Sequence, residues 1–183
     1  MPTAECRELL DYWYAPAMHS HWFNSTPALD EEIRKHFEGL WQRAAAGDLD
    51  HWIGSPECAL ALVIVLDQLP LNMYRGRPEA FSTEARAIAV AKQAIERGHD
   101  AQIEKDRLQF LYMPLMHSED LVDQDLCVAL FSQAGLADNL RFAEHHRDII
   151  RRFGRFPHRN TILGRPSRPE EIDYLTSPGA FQG

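Results

Sequence analysis

Arginine and histidine dominate one short stretch of the chain, RRFGRFPHRN from Arg151 to Asn160. Gly154 and Pro157 are expected to end the preceding helix and to prevent its continuation. Four polar side chains would then project from a fixed, non-helical turn: Arg155, His158, Arg159 and Asn160. Guanidinium groups bind carboxylates and phosphates, and a histidine beside positive charge has a lowered pKa and can move a proton. The stretch predicts anion binding or acid–base chemistry, with a purely structural loop that caps neighbouring helices as the equal alternative.

A second group of candidates occupies positions that are expected to be buried. On the helix predicted over 138–153, a projection at about 100° per residue puts His146 in the apolar half and Arg147 at its edge. A buried arginine is costly unless a carboxylate pairs with it. Asp67, near the end of an apolar helix, is the leading carboxylate, and its predicted partner is one of Arg147, Arg75, Arg155 and Arg159. Such a pair is either a core ion pair or part of a site with perturbed ionisation.

Two further segments carry weaker signals. His117 precedes Ser118-Glu119-Asp120, but the last three residues are already explained as the capped start of a helix. The segment LDQLPLNMYRG surrounds a proline turn with more polar side chains than a plain connection needs, Arg75 among them. The sequence contains no GxSxG motif and no phosphate-binding glycine loop, so nucleophilic catalysis and nucleotide binding have little support.

The charge distribution is uneven. The net charge is -8, yet residues 141–168 carry eight arginines against two acids, and the whole chain has only three lysines. A cluster made only of arginine fits anion recognition, although a general preference for arginine over lysine in this chain explains it equally well. The acidic total makes nucleic-acid binding unlikely.

The cysteines and the apolar segments exclude several classes of protein. Cys6, Cys58 and Cys127 are widely spaced and form no CxxC or Cys/His pattern, so we expect reduced thiols, no metal site and no cofactor. The longest apolar run, Cys58 to Leu66, is about half of what a helix needs to span a membrane core. The first residues do not resemble a secretory signal. We therefore expect a cytoplasmic protein without a membrane partner.

The elements that would position these residues are helices throughout. Apolar periodicity and caps predict helices over 5–14, 28–46, 56–68, 82–97, 103–112, 119–134, 138–153 and 168–175. The β-branched stretch VIV within 56–68 also permits a buried strand, but the length of the run and Pro56 favour a helix. Glycines at 47, 98 and 135 separate successive helices, which predicts stacked antiparallel helix hairpins in a single all-α domain over 1–183.

Six stretches together form a recognisable pattern: WF at 22–23, LALVIVLDQLPLNMYRG at 60–76, AFSTEA at 80–85, FLYMPLMHSED at 110–120, HRDIIRRFGRFPHRNTILGR at 146–165 and the closing PGAF. This pattern resembles an uncharacterised bacterial family, a domain of unknown function with a tetratricopeptide-like α-helical fold. The resemblance spans 9–181 and implies a right-handed stack of antiparallel helices, a TPR-like superhelix, without implying a reaction, substrate or cofactor. Leu69-Pro70-Leu71-Asn72 departs from the FPRN pattern usual in the family, which weakens any anion-binding role for that turn.

These observations lead to three hypotheses. The preferred one is a polar pocket that binds a small anion or an acidic peptide terminus, built from Asp67, Arg75, His117, Arg147, Arg155, His158, Arg159 and Asn160. The second is a metal-independent hydrolase or transferase in which His158 or His117 is the general acid/base and Asp67 orients it within about 3.2 Å. The third is a protein-interaction scaffold with an exposed concave groove and a protein partner.

Overall fold

The computed structural model describes residues 3–183, which form α-helices joined by loops and short 3-10 turns, with no strand in that range. The helices are α1 Ala4–Trp13, α2 Pro16–His19, α3 Pro27–Ala46, α4 Pro56–Met73, α5 Glu84–Glu96, α6 Leu108–His117, α7 Leu121–Ala134, α8 Ala137–Phe153 and α9 Pro169–Leu175. The 3-10 turns are Asp50–Gly54, Pro78–Phe81, Asp100–Gln102, Lys105–Arg107 and Pro157–Arg159. The all-α prediction is confirmed, whereas the TPR-like superhelix stays a prediction.

The described residues divide into two compact units. The first contains the residues up to Arg75 together with Glu79–Pro114, and the second contains Gly76–Pro78 and Leu115–Gly183. The single domain over 1–183 stays a prediction.

Two predicted helices have wrong bounds, and in both the observed helix contains a proline. The helix predicted over 56–68 continues through Pro70 to Met73, so the first part of the predicted proline turn is helical. The helix predicted over 103–112 instead runs from Leu108 to His117 and contains Pro114. Proline removes one helical hydrogen bond, but tertiary packing around a buried helix outweighs that loss.

Helix α4 forms the centre of the first unit. The Ser55 hydroxyl accepts a hydrogen bond from the Cys58 amide at 3.4 Å and Pro56 opens the first turn, which are the start signals expected from the sequence. Fifteen of its 18 residues are buried, and it packs against α1, α3 and α5. By length and composition alone α4 could cross a membrane, but 83% of it is buried inside the protein. Its apolar surface is therefore covered by other helices.

The proline inside α4 has a specific compensation. Pro70 has no amide hydrogen, so the carbonyl of Leu66, four residues earlier, lacks its usual helical donor. The hydroxyl of Thr83, directly before α5, donates to this carbonyl at 2.6 Å. The hydroxyl oxygen of Thr83 also accepts a hydrogen bond from the indole Nε1 of Trp41 on α3 at 3.1 Å. One buried hydroxyl thus connects three helices and satisfies the carbonyl that proline leaves without a donor.

The cysteine prediction is wrong for two of the three residues. Cys6 on α1 and Cys58 on α4 are joined as a disulfide, with their Cα atoms 5.5 Å apart. They are 52 residues apart in sequence, and only the packing of α1 on α4 brings them together. Cys127 is a buried free thiol, and burial raises its pKa.

The second unit is organised around α7 and α8, which pack against each other. Gly135 ends α7 in the left-handed conformation, φ 64°, so the chain turns directly into α8. One face of α8 contributes Ile149, Ile150 and Phe153 to a small core that also contains Phe156. Tyr174 of α9 and Phe181 pack against this core, which places the turn after α8 on a fixed apolar base.

Candidate functional site

The turn after α8 has the form that the sequence predicts. Gly154 adopts φ 72°, its amide donates to the Ile150 carbonyl, and Pro157–Arg159 then form a 3-10 turn. The side chains that project from this region form two groups, one around the carboxylate of Glu171 and one beside the carboxylate of Glu119.

Arg155 and Asn160 converge on one buried acid, Glu171 of α9. Arg155 donates to its two oxygens at 2.7 and 2.8 Å, and Asn160 donates at 3.1 Å. The amide of Arg168 adds a further hydrogen bond at 2.7 Å. The bond from Arg155 is the main reason why the pKa of Glu171 falls to about 2. Because Glu171 occupies these donors, Arg155 and Asn160 fasten α9 to the turn.

A second acid, Glu119, lies between two arginines. Arg165 donates to both carboxylate oxygens, at 2.7 and 2.9 Å, and the Phe156 amide donates at 2.7 Å. Burial opposes ionisation of Glu119, but these hydrogen bonds and the charge of Arg159 outweigh it and lower its pKa. In the sequence, helix capping already explains Glu119 and nothing distinguishes Arg165, because no local pattern connects residues 46 positions apart.

Arg159 is the buried guanidinium of this region, with 5% of its surface exposed. Its Nη2 donates to the carbonyl of His117 at 2.8 Å, and its guanidinium carbon lies 4.8 Å from the ring centre of Phe156. Two of the residues assigned to the predicted pocket, Arg159 and His117, are therefore in contact.

Two imidazoles lie beside Arg159 among aromatic rings. His146 Nδ1 donates to the Phe142 carbonyl at 2.7 Å, which leaves Nε2 as the unprotonated nitrogen of the neutral ring. Burial, reinforced by nearby positive charge that includes Arg159, lowers the pKa of His146 to about 4 and that of His158 to about 3. Both imidazoles are neutral at pH 7. We call His117, His146, His158 and Arg159 the histidine–arginine cluster.

His158 differs from the other members in its hydrogen bonding. Its ring is half-buried against the rings of Phe156 and Phe181, with centre distances of 5.7 and 4.9 Å. Among residues 3–183 its nitrogens have no hydrogen-bond partner. A β-carbon placed on Gly183 would lie 2.9 Å from its Cδ2, so the last residues of the chain lie against this ring. His158 therefore has hydrogen-bonding capacity available for a ligand.

Three other predicted site residues, Arg147, Arg75 and Asp67, contact residues outside the histidine–arginine cluster. Arg147 lies 3.7 Å from Asp125 in the second unit. In the first unit, Arg75 donates to both oxygens of Asp30 at 2.8 and 3.2 Å, and Asp67 accepts from Gln68 at 2.6 Å. The assignment of all these residues to one ligand site stays a prediction.

Two open cavities lie in the first unit. One of about 600 Å³ is lined by Asp50, Ile53, Leu62, Arg86, Ala89, Val90, Lys92, Gln93 and Glu96, and one of about 280 Å³ by Pro27, Asp30, Glu31, Arg34, Asn72, Met73 and Arg75. Neither of the two contains a member of the histidine–arginine cluster. In the described part of the chain, no group of three or more His, Cys, Asp or Glu side chains is placed to hold a metal ion.

Comparisons with known proteins agree with this fold. A family model described as "Bacterial protein of unknown function (DUF924)" matches residues 9–179. The chain belongs to this family. It is also similar to a solved structure, the protein of unknown function ATU0120 from Agrobacterium tumefaciens, at 39% identity and a TM-score of 0.90 over 94% of this chain and 97% of that one. A search of curated proteins found no match. The resemblance predicted from the sequence is confirmed, and it assigns no reaction.

Proposed function

We propose that the second unit binds a small anion, a carboxylate or a phosphate, at His158 with Arg159 beside it. The observation that carries this proposal is the half-buried imidazole of His158, whose nitrogens have no partner among residues 3–183, next to a buried guanidinium. Neutral imidazole N–H groups and a guanidinium are donors suited to an anion.

The other predicted anion-binding arginines are less suitable than the imidazole of His158, because each of them already pairs with a carboxylate. Arg155 is paired with Glu171, and Arg75 with Asp30, each through two hydrogen bonds. An external anion at either position would have to displace an internal carboxylate. The proposal therefore assigns anion binding to His158 and Arg159, and assigns Arg155 and Asn160 to holding α9.

Anion binding at this site would be coupled to proton uptake. The charged and titratable groups that face His158 are Arg159, His146, Glu119 and His117, and only Glu119 favours its protonation. A bound anion adds a second negative charge and raises the pKa of His158 towards neutral pH. Affinity should therefore increase as pH falls from 8 to 5, with about one proton taken up when binding is tightest.

An enzymatic function is the second candidate. The negative charge of Glu119 acts on His158, so in the second unit Glu119, and not Asp67, is the carboxylate that could support His158 as a general acid/base. Direct orientation of a catalytic histidine requires a hydrogen bond of about 3.2 Å or less, or one bridging water. His158 donates to no described carboxylate, so the geometry favours binding.

Isothermal titration calorimetry with inorganic phosphate and with acetate tests the proposal. Wild-type protein should bind at least one of them, with an enthalpy that depends on the ionisation enthalpy of the buffer, because a proton is taken up. His158→Gln should weaken binding about tenfold or more, since a charge-assisted hydrogen bond contributes roughly 1.5–3 kcal/mol. The control is His51→Gln, an exposed histidine of the first unit. Equal affinities in the two variants would contradict the proposal.

A TPR-like stacking of the helices and a cytoplasmic location also belong to this proposal. The acidic net charge and the covered α4 support the location, whereas the Cys6–Cys58 disulfide opposes it, because disulfides are uncommon in cytosolic proteins. Alkylation of thiols in intact cells before lysis, followed by mass spectrometry, tests whether Cys6 and Cys58 are reduced in the cell. A modified Cys6 and Cys58 would support a reducing compartment.

A further inference from the structure

We infer that the preferred ligand carries an aromatic ring beside its acid group, and that Phe181 occupies the place of that ring in the free protein. This inference rests on the proposed function, because it concerns the same histidine–arginine cluster. Four steps support it: the position of the Phe181 ring, the attachment of its segment, the stability of the surrounding frame, and the location of the donors.

The Phe181 ring lies against both imidazoles of the cluster. Its centre is 4.4 Å from that of His146 and 4.9 Å from that of His158, and it is nearly perpendicular to the latter ring, at 89°. Phe156 contacts the same two imidazoles, at 5.6 and 5.7 Å. The rings of His146, His158 and Phe156 therefore surround the place of one planar ring, which we call the slot. Their centre distances agree with the roughly 4.5–7 Å that edge-to-face and tilted aromatic pairs prefer.

The segment that carries Phe181 has few attachments. After α9 ends at Leu175, the chain forms turns and then an irregular stretch to Gly183. The Phe181 amide donates to the Tyr174 hydroxyl at 2.9 Å, and the Gln182 side chain donates to the Leu175 carbonyl at 3.0 Å. The Phe181 ring is only half-buried. Such a segment opens at low free-energy cost compared with a buried helix.

The frame around the slot is held independently of this segment. Glu171 fastens α9 to Arg155 and Asn160, and Glu119 fastens the turn through Arg165. Release of Phe181 therefore leaves the imidazoles and Arg159 in place. The segment acts as an internal competitor for the ring position.

The donors of the cluster belong to residues that contact the rings around Phe181. The centre of the His158 ring lies 4.9 Å from that of Phe181, and the guanidinium carbon of Arg159 lies 4.8 Å from the ring centre of Phe156. A ligand whose ring replaces Phe181 would direct a carboxylate on a short aliphatic link towards these donors. This arrangement identifies an arylalkanoic acid as the ligand class, in contrast to an inorganic anion.

Calorimetric titration of 3-phenylpropionate, with propionate as the acid without a ring, tests the inference. Phe181→Ala should bind 3-phenylpropionate about tenfold more tightly than wild type, because the competing closed state is removed. Propionate affinity should change less than twofold. Phe181→Leu, which keeps an apolar side chain in the slot, is the matched control and should resemble wild type. Equal affinity of Phe181→Ala and Phe181→Leu for 3-phenylpropionate would overturn the inference.

The two proposals fail in distinguishable ways. If propionate or phosphate binds and His158→Gln abolishes it, but the ring gives no advantage in Phe181→Ala, the anion site stands and the aromatic ligand is refuted. If no anion binds to any variant, the proposed function itself is refuted. A measurement on wild-type protein avoids any folding defect of Phe181→Ala. With saturating 3-phenylpropionate, the nuclear Overhauser effect between the Phe181 and His146 rings should disappear. Its persistence would also overturn the inference.

Discussion

Substitution of Thr83 by valine removes the hydroxyl that donates to the Leu66 carbonyl in place of the amide that Pro70 lacks. Leu66 is fully buried and Thr83 is 4% exposed, so water cannot replace the lost donor. An unsatisfied buried carbonyl costs about 1–3 kcal/mol. Loss of the acceptor for Trp41 adds roughly 0.5–1 kcal/mol, since that indole is only half-buried. We expect the free energy of unfolding to fall by about 1.5–4 kcal/mol, or roughly 3–16 °C in melting temperature.

Urea denaturation followed by far-ultraviolet circular dichroism measures this loss. Thr83→Ser keeps the hydroxyl and should lose about 1 kcal/mol or less. In a Pro70→Ala background the new amide can bond to Leu66 within the helix, so Thr83→Val should cost about 1 kcal/mol less than it does in wild type. An identical cost of Thr83→Val in both backgrounds would refute the assignment of Thr83 as the substitute donor.

Three further predictions concern the second unit. Glu119→Gln should lower the free energy of unfolding by about 1.5–3 kcal/mol in urea titrations, whereas Asp138→Asn, which removes an exposed ion pair, should change it by at most about 0.5 kcal/mol. Gly135→Ala should cost about 1 kcal/mol in the same assay, because φ is 64° there. The pKa of Glu171 is lowered, so its contribution to stability is complete above pH 4.5 and is lost as pH falls towards 2. In acid denaturation, the free energy of unfolding of Glu171→Gln should therefore decrease less between pH 4.5 and 2 than that of wild type.

The parts of the structure that depend on neighbouring residues could be predicted from the sequence. The start of α4 at Ser55-Pro56 and the break between α7 and α8 at Gly135 follow from capping and left-handed backbone preferences, which act within a few residues. The turn at Pro157–Arg159 is also determined by neighbouring residues, Gly154 and Pro157. At these three places few local conformations are sterically allowed, so the sequence pattern and the structure agree.

The partners of the arginine cluster could not be predicted in this way. The sequence places Arg155 in a polar turn, but its carboxylate is Glu171, 16 residues later, and Arg165 is paired with Glu119, 46 residues earlier. Any of several acids would satisfy the same electrostatic requirement, and only packing selects among them. The Cys6–Cys58 pair is a third example, because spacing in sequence carries no information about two helices that meet side by side.

The covered state of α4 has a consequence for the chain while it is being synthesised. Before it is enclosed, Pro56–Met73 exposes an apolar surface long enough to engage a lipid bilayer or another unfolded chain. Its partners α1 and α3 precede it and leave the ribosome first, and only ten residues separate the end of α4 from the start of α5. The order of helices along the chain thus shortens the interval in which this apolar segment is uncovered, and a translation pause that delays the release of α5 after α4 has left the ribosome would prolong it.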